Sequence, residues 1–213
     1  MTFITWNTRA DGKGTLYGPG AVITAPNSRL DLYAQWTGWK VISPIVLDLD
    51  GLGIQTTSLA NGVTFDYAGA GNPIKTAWVT SNCGFLVRDL NGNGQIDNGA
   101  ELFGNFTVLK NGQLAANGFD ALAELDLNGD GVISGSDADA AGILIWNDVN
   151  VNGKVDSGEL LTLTKAGVLS IQTQYTVAHH SADANGNLWK WQGTFTRSDG
   201  STAVCVDVLF KTE

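Results

Sequence analysis

Three stretches of this 213-residue chain repeat one spacing, and no other feature of the sequence restricts its folding as much. Asp148, Asn150 and Asn152 occupy alternate places and are followed by Gly153, Lys154, Val155, Asp156 and, at the twelfth place, Glu159. Asp126, Asn128, Asp130, Gly131, Val132, Ile133, Ser134 and Asp137 keep the same plan and close on a shorter acid. A third copy runs Asp89, Asn91, Asn93, Gly94, Gln95, Ile96, Asp97; its twelfth place is Ala100 and the acid arrives one residue late, as Glu101. Glycine at the sixth place permits a sharp turn, and an apolar residue at the eighth anchors the loop to a core.

Such a set of oxygens describes a calcium loop. The ion takes about six to eight oxygen ligands at roughly 2.3–2.6 Å, from places 1, 3, 5, 7, 9 and 12, with the seventh supplying a main-chain carbonyl. The expected ligands are therefore Asp148, Asn150, Asn152, Lys154, Asp156 and Glu159; Asp126, Asn128, Asp130, Val132 and Asp137, with Ser134 at the ninth place; and Asp89, Asn91, Asn93, Gln95, Asp97 and Glu101. Each loop gathers three carboxylates, whose mutual repulsion a divalent cation reverses. An Asn- and Gly-rich turn without a ligand does not explain acids at both ends of all three. Two further turns, at Asp48-Leu49-Asp50-Gly51 and at Asp66, keep only the first acids and read chiefly as structural; a composite site of Asp48, Asp50 and Asp66 stays open.

Charge agrees with cations as partners. Acidic residues number 21 against 12 Lys and Arg, a net charge of -9, which disfavours nucleic acid and anionic lipid. No run of about 18 apolar residues is present, so no membrane insertion is expected. The first residues lack the basic head and apolar stretch of a signal peptide, as in a piece of a longer protein or a cargo exported without a cleaved leader. Cys83 and Cys205 leave one disulfide open without defining a framework.

Residues 1–40 read as short β-segments broken by turns at Asp11-Gly12 and at Tyr17-Gly18-Pro19-Gly20, and residues 41–213 as a second domain. In the latter, Gly/Asn/Asp loops punctuate short apolar runs. A helix is expected over 119–125, starting near Asn117, and a second over 158–163. A further helix begins at Asp137. Alternation over 170–210 predicts strands with hairpin turns at Asn185-Gly186 and Asp199-Gly200. The sum is an α+β fold: short strands, hairpins and a few short helices around EF-hand-like calcium loops, plus a small N-terminal β-segment. Ordinary paired EF-hands do not fit, since Asp148 follows Asp126 by only 22 residues, too few for two helices and a linker.

Two family resemblances attach to particular residues. The stretch from Trp6 to Gly14, ending at Leu32-Tyr33-Ala34-Gln35-Trp36, resembles the second half of a Listeria–Bacteroides (internalin-type B) repeat, found in bacterial surface proteins. Pro44-Ile45-Val46-Leu47-Asp48, Lys75-Thr76-Ala77-Trp78-Val79, Phe85-Leu86-Val87-Arg88-Asp89, Glu101-Leu102-Phe103-Gly104 and Val206-Asp207-Val208-Leu209-Phe210 resemble, in order, the calcium-responsive self-processing modules of RTX-type secreted proteins. That resemblance implies a module folded by calcium, outside the cell or on its surface, whose Asp-Pro bond at the N-terminal edge cleaves itself and yields an anhydride open to a lysine amine. Here the corresponding pair is Ser43-Pro44, and the chain has no Asp-Pro bond.

The expectation is accordingly a calcium-binding structural module of an adhesin-like or RTX protein, joined to neighbouring domains and without enzymatic activity. Calcium-triggered self-cleavage and cross-linking is the alternative. A third reading, a carbohydrate-binding surface, rests on Trp189 and Trp191 sharing a strand face; buried core is the better reading of both. His179-His180 would point to opposite faces of a strand and is not expected to share a metal.

Overall fold

A computed structural model describes residues 2–9, 15–17, 30–37, 43–178 and 182–213. The chain divides into two compact units, Met1–Val41 and Ile42–Glu213. In the first, β1 (Thr2–Asn7) lies between β2 (Leu16–Tyr17) and β3 (Tyr33–Thr37) in an antiparallel sheet. The expected turns at 11–12 and 18–20, and His179-His180, lie outside the described residues.

The second unit is built on β4 (Ile45–Asp48), β5 (Val63–Phe65), β6 (Ile74–Thr76), β7 (Cys83–Val87), β8 (Val132–Ser134), β9 (Leu144–Trp146), β10 (Leu160–Leu161), β11 (Val168–Gln172), β12 (Thr176–Val177), β13 (Leu188–Arg197) and β14 (Thr202–Leu209). Nine of these form one sheet in the order β10-β9-β7-β4-β14-β13-β11-β8, with β12 also on β13, while β5 and β6 pair separately. Two short helices, α1 (Gly118–Ala123) and α2 (Gly135–Ala141), complete the unit. The expected α+β class is thereby overturned. With 34% strand and 9% helix, the protein is mostly β, and the large sheet of the second unit is a curled antiparallel half-barrel. The apolar runs are four or five residues long and buried on both faces, the mark of central strands rather than helices.

Side chains of the central strands alternate between two cores. Val46, Phe85, Val87, Trp146, Val206 and Val208 enter one, together with Val63, Phe65, Tyr67, Trp78 and Phe210. Ile45, Leu47, Leu86, Ile145 and Cys205 enter the other, covered by Phe119 and Leu122 of α1 and Ala138 of α2. Full burial of each large side chain contributes roughly 1.5–3 kcal/mol. The sheet therefore separates the two cysteines: Cys83 belongs to the first core and Cys205 to the second. Both are free thiols, and burial pushes them up to about 11 and about 12 respectively.

Several local expectations change as well. Residues 158–163 form no helix; Leu160 and Leu161 pair with Ile145 and Trp146 as β10, because those strand partners satisfy their backbone. α1 is capped by Asn117, whose side chain accepts the Asp120 amide at 2.9 Å. α2 starts at Gly135, ahead of Asp137, which lies in its first turn. The strand expected to run through 171–177 breaks into β11 and β12. In β13 the register shifts between Trp189 and Trp191. The extra residue turns them to opposite faces, Trp189 against the first core and Trp191 against the second, so they offer no shared stacking platform.

Candidate metal sites

Each of the three loops leaves a buried element and closes by the same bonds. At the first place the aspartate accepts the amide of the sixth-place glycine: Gly94 to Asp89 at 2.7 Å, Gly131 to Asp126 at 2.7 Å and Gly153 to Asp148 at 2.8 Å. These glycines have φ of 75°, 82° and 73°, which a side chain rarely tolerates. The fourth place is also left-handed, as glycine in two loops but as Val151, φ 56°, in the last. That β-branched outlier persists because Val151 packs on the first core.

The closing acids also share their donors. Glu159 accepts the amides of Val149 at 3.0 Å and Asp156 at 2.9 Å. Glu101 accepts those of Leu90 at 3.0 Å and Asp97 at 2.6 Å. Asp137 accepts those of Leu127 at 3.3 Å and Ser134 at 3.0 Å. In every loop these are places 2 and 9. The late Glu101 reaches its place because the extra residue is taken up in a single 3-10 turn, Gly99–Glu101, capped by Asn98. All three closing acids are buried. The anchors behave alike, with Ile96 and Val155 in the first core and Ile133 in the second.

Between the ends lie the amides. Asn150 and Asn152 donate to one Asp156 oxygen at 2.7 and 2.8 Å, and Asn91 and Asn93 to one Asp97 oxygen at 3.0 and 2.8 Å. Asn128 does the same to Asp130 at 2.9 Å. Bonds from Asn150 and Asn152 hold the Asp156 carboxyl below the usual carboxylate range, and bonds from Ser134 do so for Asp137. Both stay ionised near neutral pH. Loops 89–101 and 148–159 touch, through Gln95 Nε2 donating to the Val155 carbonyl at 3.2 Å.

A metal must fit this donor set. Among the described residues no three His, Cys, Asp or Glu side chains are gathered to hold a metal by themselves. The loops instead offer oxygens of mixed kind, carboxylate, amide and carbonyl, which suit a hard cation and not zinc. Asp148 supplies the sharpest test. It is fully buried and, unlike Asp48, has no lysine or arginine in ion-pair reach among the described residues. Its oxygens accept only N–H groups, from Asn152, Gly153 and the Trp78 indole. A buried anion so placed accepts a cation readily, so the residues fit calcium.

The lesser turns differ. Asp66 accepts the amides of Ala70 and Gly71, its fifth and sixth places, as an intact loop would, but bonds to neither Asp48 nor Asp50. Asp48 accepts the Gly51 amide and faces Arg197, whose guanidinium lies 3.6 Å from its carboxylate and donates to the carbonyls of Asp48 and Leu49. Asp50 binds Leu52 and Asn82, which hold its carboxyl low. Among the described residues no group of three such acids is gathered to hold a metal, these three included. Arg197 and Trp78 carried no signal in the sequence, since their partners lie 149 and 70 residues away.

At the N-terminal edge, buried Ser43 donates its amide to Asn105 at 3.3 Å, and the Pro44 carbonyl accepts the Val208 amide at 3.1 Å. Nearby Asp207 is fully buried and accepts the Gly118 amide at 2.9 Å. Burial pushes its carboxyl up to about 7, against the pull of Gly118 and the Ser43 hydroxyl.

The pattern of the SPM domain matches residues 45–211, a stretch that contains both cores and all three loops. The iron-regulated protein FrpA of Neisseria meningitidis serogroup C is 44% identical over 173 residues, covering 80% of this chain. The same alignment covers 15% of that protein, so the chain corresponds to a small part of a much longer relative. On the extent of this match, the chain belongs to the SPM domain family.

Proposed function

We propose that this chain is a calcium-binding structural module of a large extracellular or surface-exposed bacterial protein, made rigid when the ion fills its loops. One observation carries the reading: in all three loops the first acid binds the amide of a left-handed sixth glycine and a buried closing acid binds the amides of places 2 and 9. Each loop so formed concentrates carboxylates, and among the described residues none of the acids of its ligand set is in a salt bridge with lysine or arginine. Calcium supplies the missing charge and oxygen-seeking coordination; the chain's part is to hold those oxygens at the right spacing. Outside cells, affinities of about 10⁻⁴–10⁻³ M are sufficient.

Self-processing is not assigned to this chain. The reaction implied by the resemblance needs a carboxylate on the residue before proline, and Ser43 has none. Calorimetric titration with calcium tests the proposal: about three ions per chain are expected, with a melting temperature that climbs as calcium is added and falls with EGTA. No binding heat and an unmoved melting curve would reject it. A gel with and without calcium should show one intact band, and fragments split at Ser43-Pro44 would return the module to catalysis.

A further inference from the structure

We propose that Trp78 ties the ion occupancy of loop 148–159 to the packing of the first core; the inference rests on the calcium reading above. The Trp78 indole N–H donates to Asp148 Oδ2 at 2.8 Å, and both residues are fully buried. Asp148 is the first-place ligand, so this bond runs from the ion's coordination shell into the core. Its counterparts Asp89 and Asp126 accept only amides of their own loops.

Trp78 is also the centre of the aromatic cluster. Its ring centroid lies 4.6 Å from Phe85, 5.4 Å from Phe65, 5.6 Å from Trp146, and 6.3 Å from both Tyr67 and Phe210. These residues come from the β5 hairpin, β7, β9 and the chain's end, so one ring holds four distant segments. The loop is packed on the same core from a second side: a Cβ at Gly153 would lie 2.9 Å from Val63 of β5. With a cation present, Asp148 keeps its negative charge in a buried place and the indole bond is maintained. Without one, the carboxylate regains solvation only if the loop opens, which breaks the indole bond and frees the ring at the cluster's centre. By linkage, the indole in turn holds Asp148 in its ligating position and raises affinity at this loop alone. Trp78 is a positioning residue: it touches the ligand, never the ion.

The test is calcium calorimetry on the full chain, with the heat of each loop assigned from E159Q and E101Q variants. Trp78→Phe should weaken the loop missing in E159Q by about tenfold and leave the other loops' affinities within about twofold, as expected for one hydrogen bond to a charged group. Because phenylalanine leaves a smaller ring, a second variant carries β-(3-benzothienyl)alanine at position 78, which keeps the bicycle and lacks the N–H. It should reproduce the weakening while near-ultraviolet circular dichroism still shows packed aromatics in saturating calcium. The calcium-induced change in that aromatic signal should vanish in E159Q and persist in E101Q. Equal weakening of all loops, or an N–H-free variant that binds like the parent, overturns the inference while leaving calcium binding intact. Absence of calcium heat in the parent chain instead rejects the underlying calcium reading.

Discussion

Asp48 and Asp148 each open a turn after a buried strand of the same sheet, and each is almost without solvent contact. Asp48 faces the guanidinium of Arg197, brought from the far end of β13. Among the described residues, Asp148 faces three N–H donors and no fixed cation. A third buried acid, Asp207, has neither arrangement and is pushed up toward neutrality by burial. Leaving a charge buried and unpaired costs several kcal/mol, so each site needs its own remedy. One has an arginine, one has its carboxyl raised toward neutral pH by burial, and for Asp148 we propose a metal ion. On the proposed reading, the turn that lacks a cation from its own fold is the one that takes an ion.

Substitutions can sharpen or break that contrast. The largest effect is expected for Glu159→Gln, which should remove one calcium from the stoichiometry and about 3 kcal/mol of calcium-linked stability at a hundredfold excess over Kd. Denaturant melts at fixed free calcium read this, and full retention of the calcium-dependent gain would count against the loop as a site.

Asp207 comes next. Its folded value near 7 lies above its ordinary 3.8, so between these values the folded chain keeps a proton that the unfolded chain has released. Its contribution to stability is complete below about 4 and is lost as pH rises from there through 7. Asp207→Asn should flatten that part of the pH–stability profile; a parallel profile in the variant would place the titration elsewhere.

Arg197→Gln should lower stability by about 2 kcal/mol, since a half-buried cation and two carbonyl bonds are lost together. The loss should be the same in calcium and in EGTA. Rescue by calcium would mean that an ion can replace the guanidinium at Asp48, erasing the distinction between the two turns. The smallest change is Asp137→Glu, which lengthens the closing acid while keeping the bonds at the start of α2. A severalfold gain in affinity at that loop, read by calorimetry, is the expected result, whereas weaker binding would mean the short acid suits this loop.

The turn geometry of the three acidic loops was legible because its logic is local. A first acid, a sixth glycine and a closing acid lie within thirteen residues, and the hydrogen bonds that shape them scarcely leave that span. Even the late Glu101 follows this rule, its extra residue absorbed in one turn of the chain. Helix signals were less dependable. Asn117 caps α1 as its residue type suggests, but Leu160 and Leu161 pair with β9 because distant strand partners outweigh weak local preference. The tryptophans show the same limit: alternation predicts a shared face for Trp189 and Trp191, and one bulge cancels it.

By itself the sequence determined where oxygen donors cluster, where the backbone must turn left-handed, and which short apolar runs are buried. Only the tertiary structure decided that those runs form a half-barrel with two cores, that Cys83 and Cys205 lie on opposite sides of it, and that Arg197 and Trp78 meet Asp48 and Asp148. The reason is range. A turn is shaped by bonds among neighbours, whereas strand order and the partners of a buried charge depend on segments far apart in sequence, 70 residues for Trp78 and Asp148 and 149 for Arg197 and Asp48, brought together when the whole sheet closes over its cores.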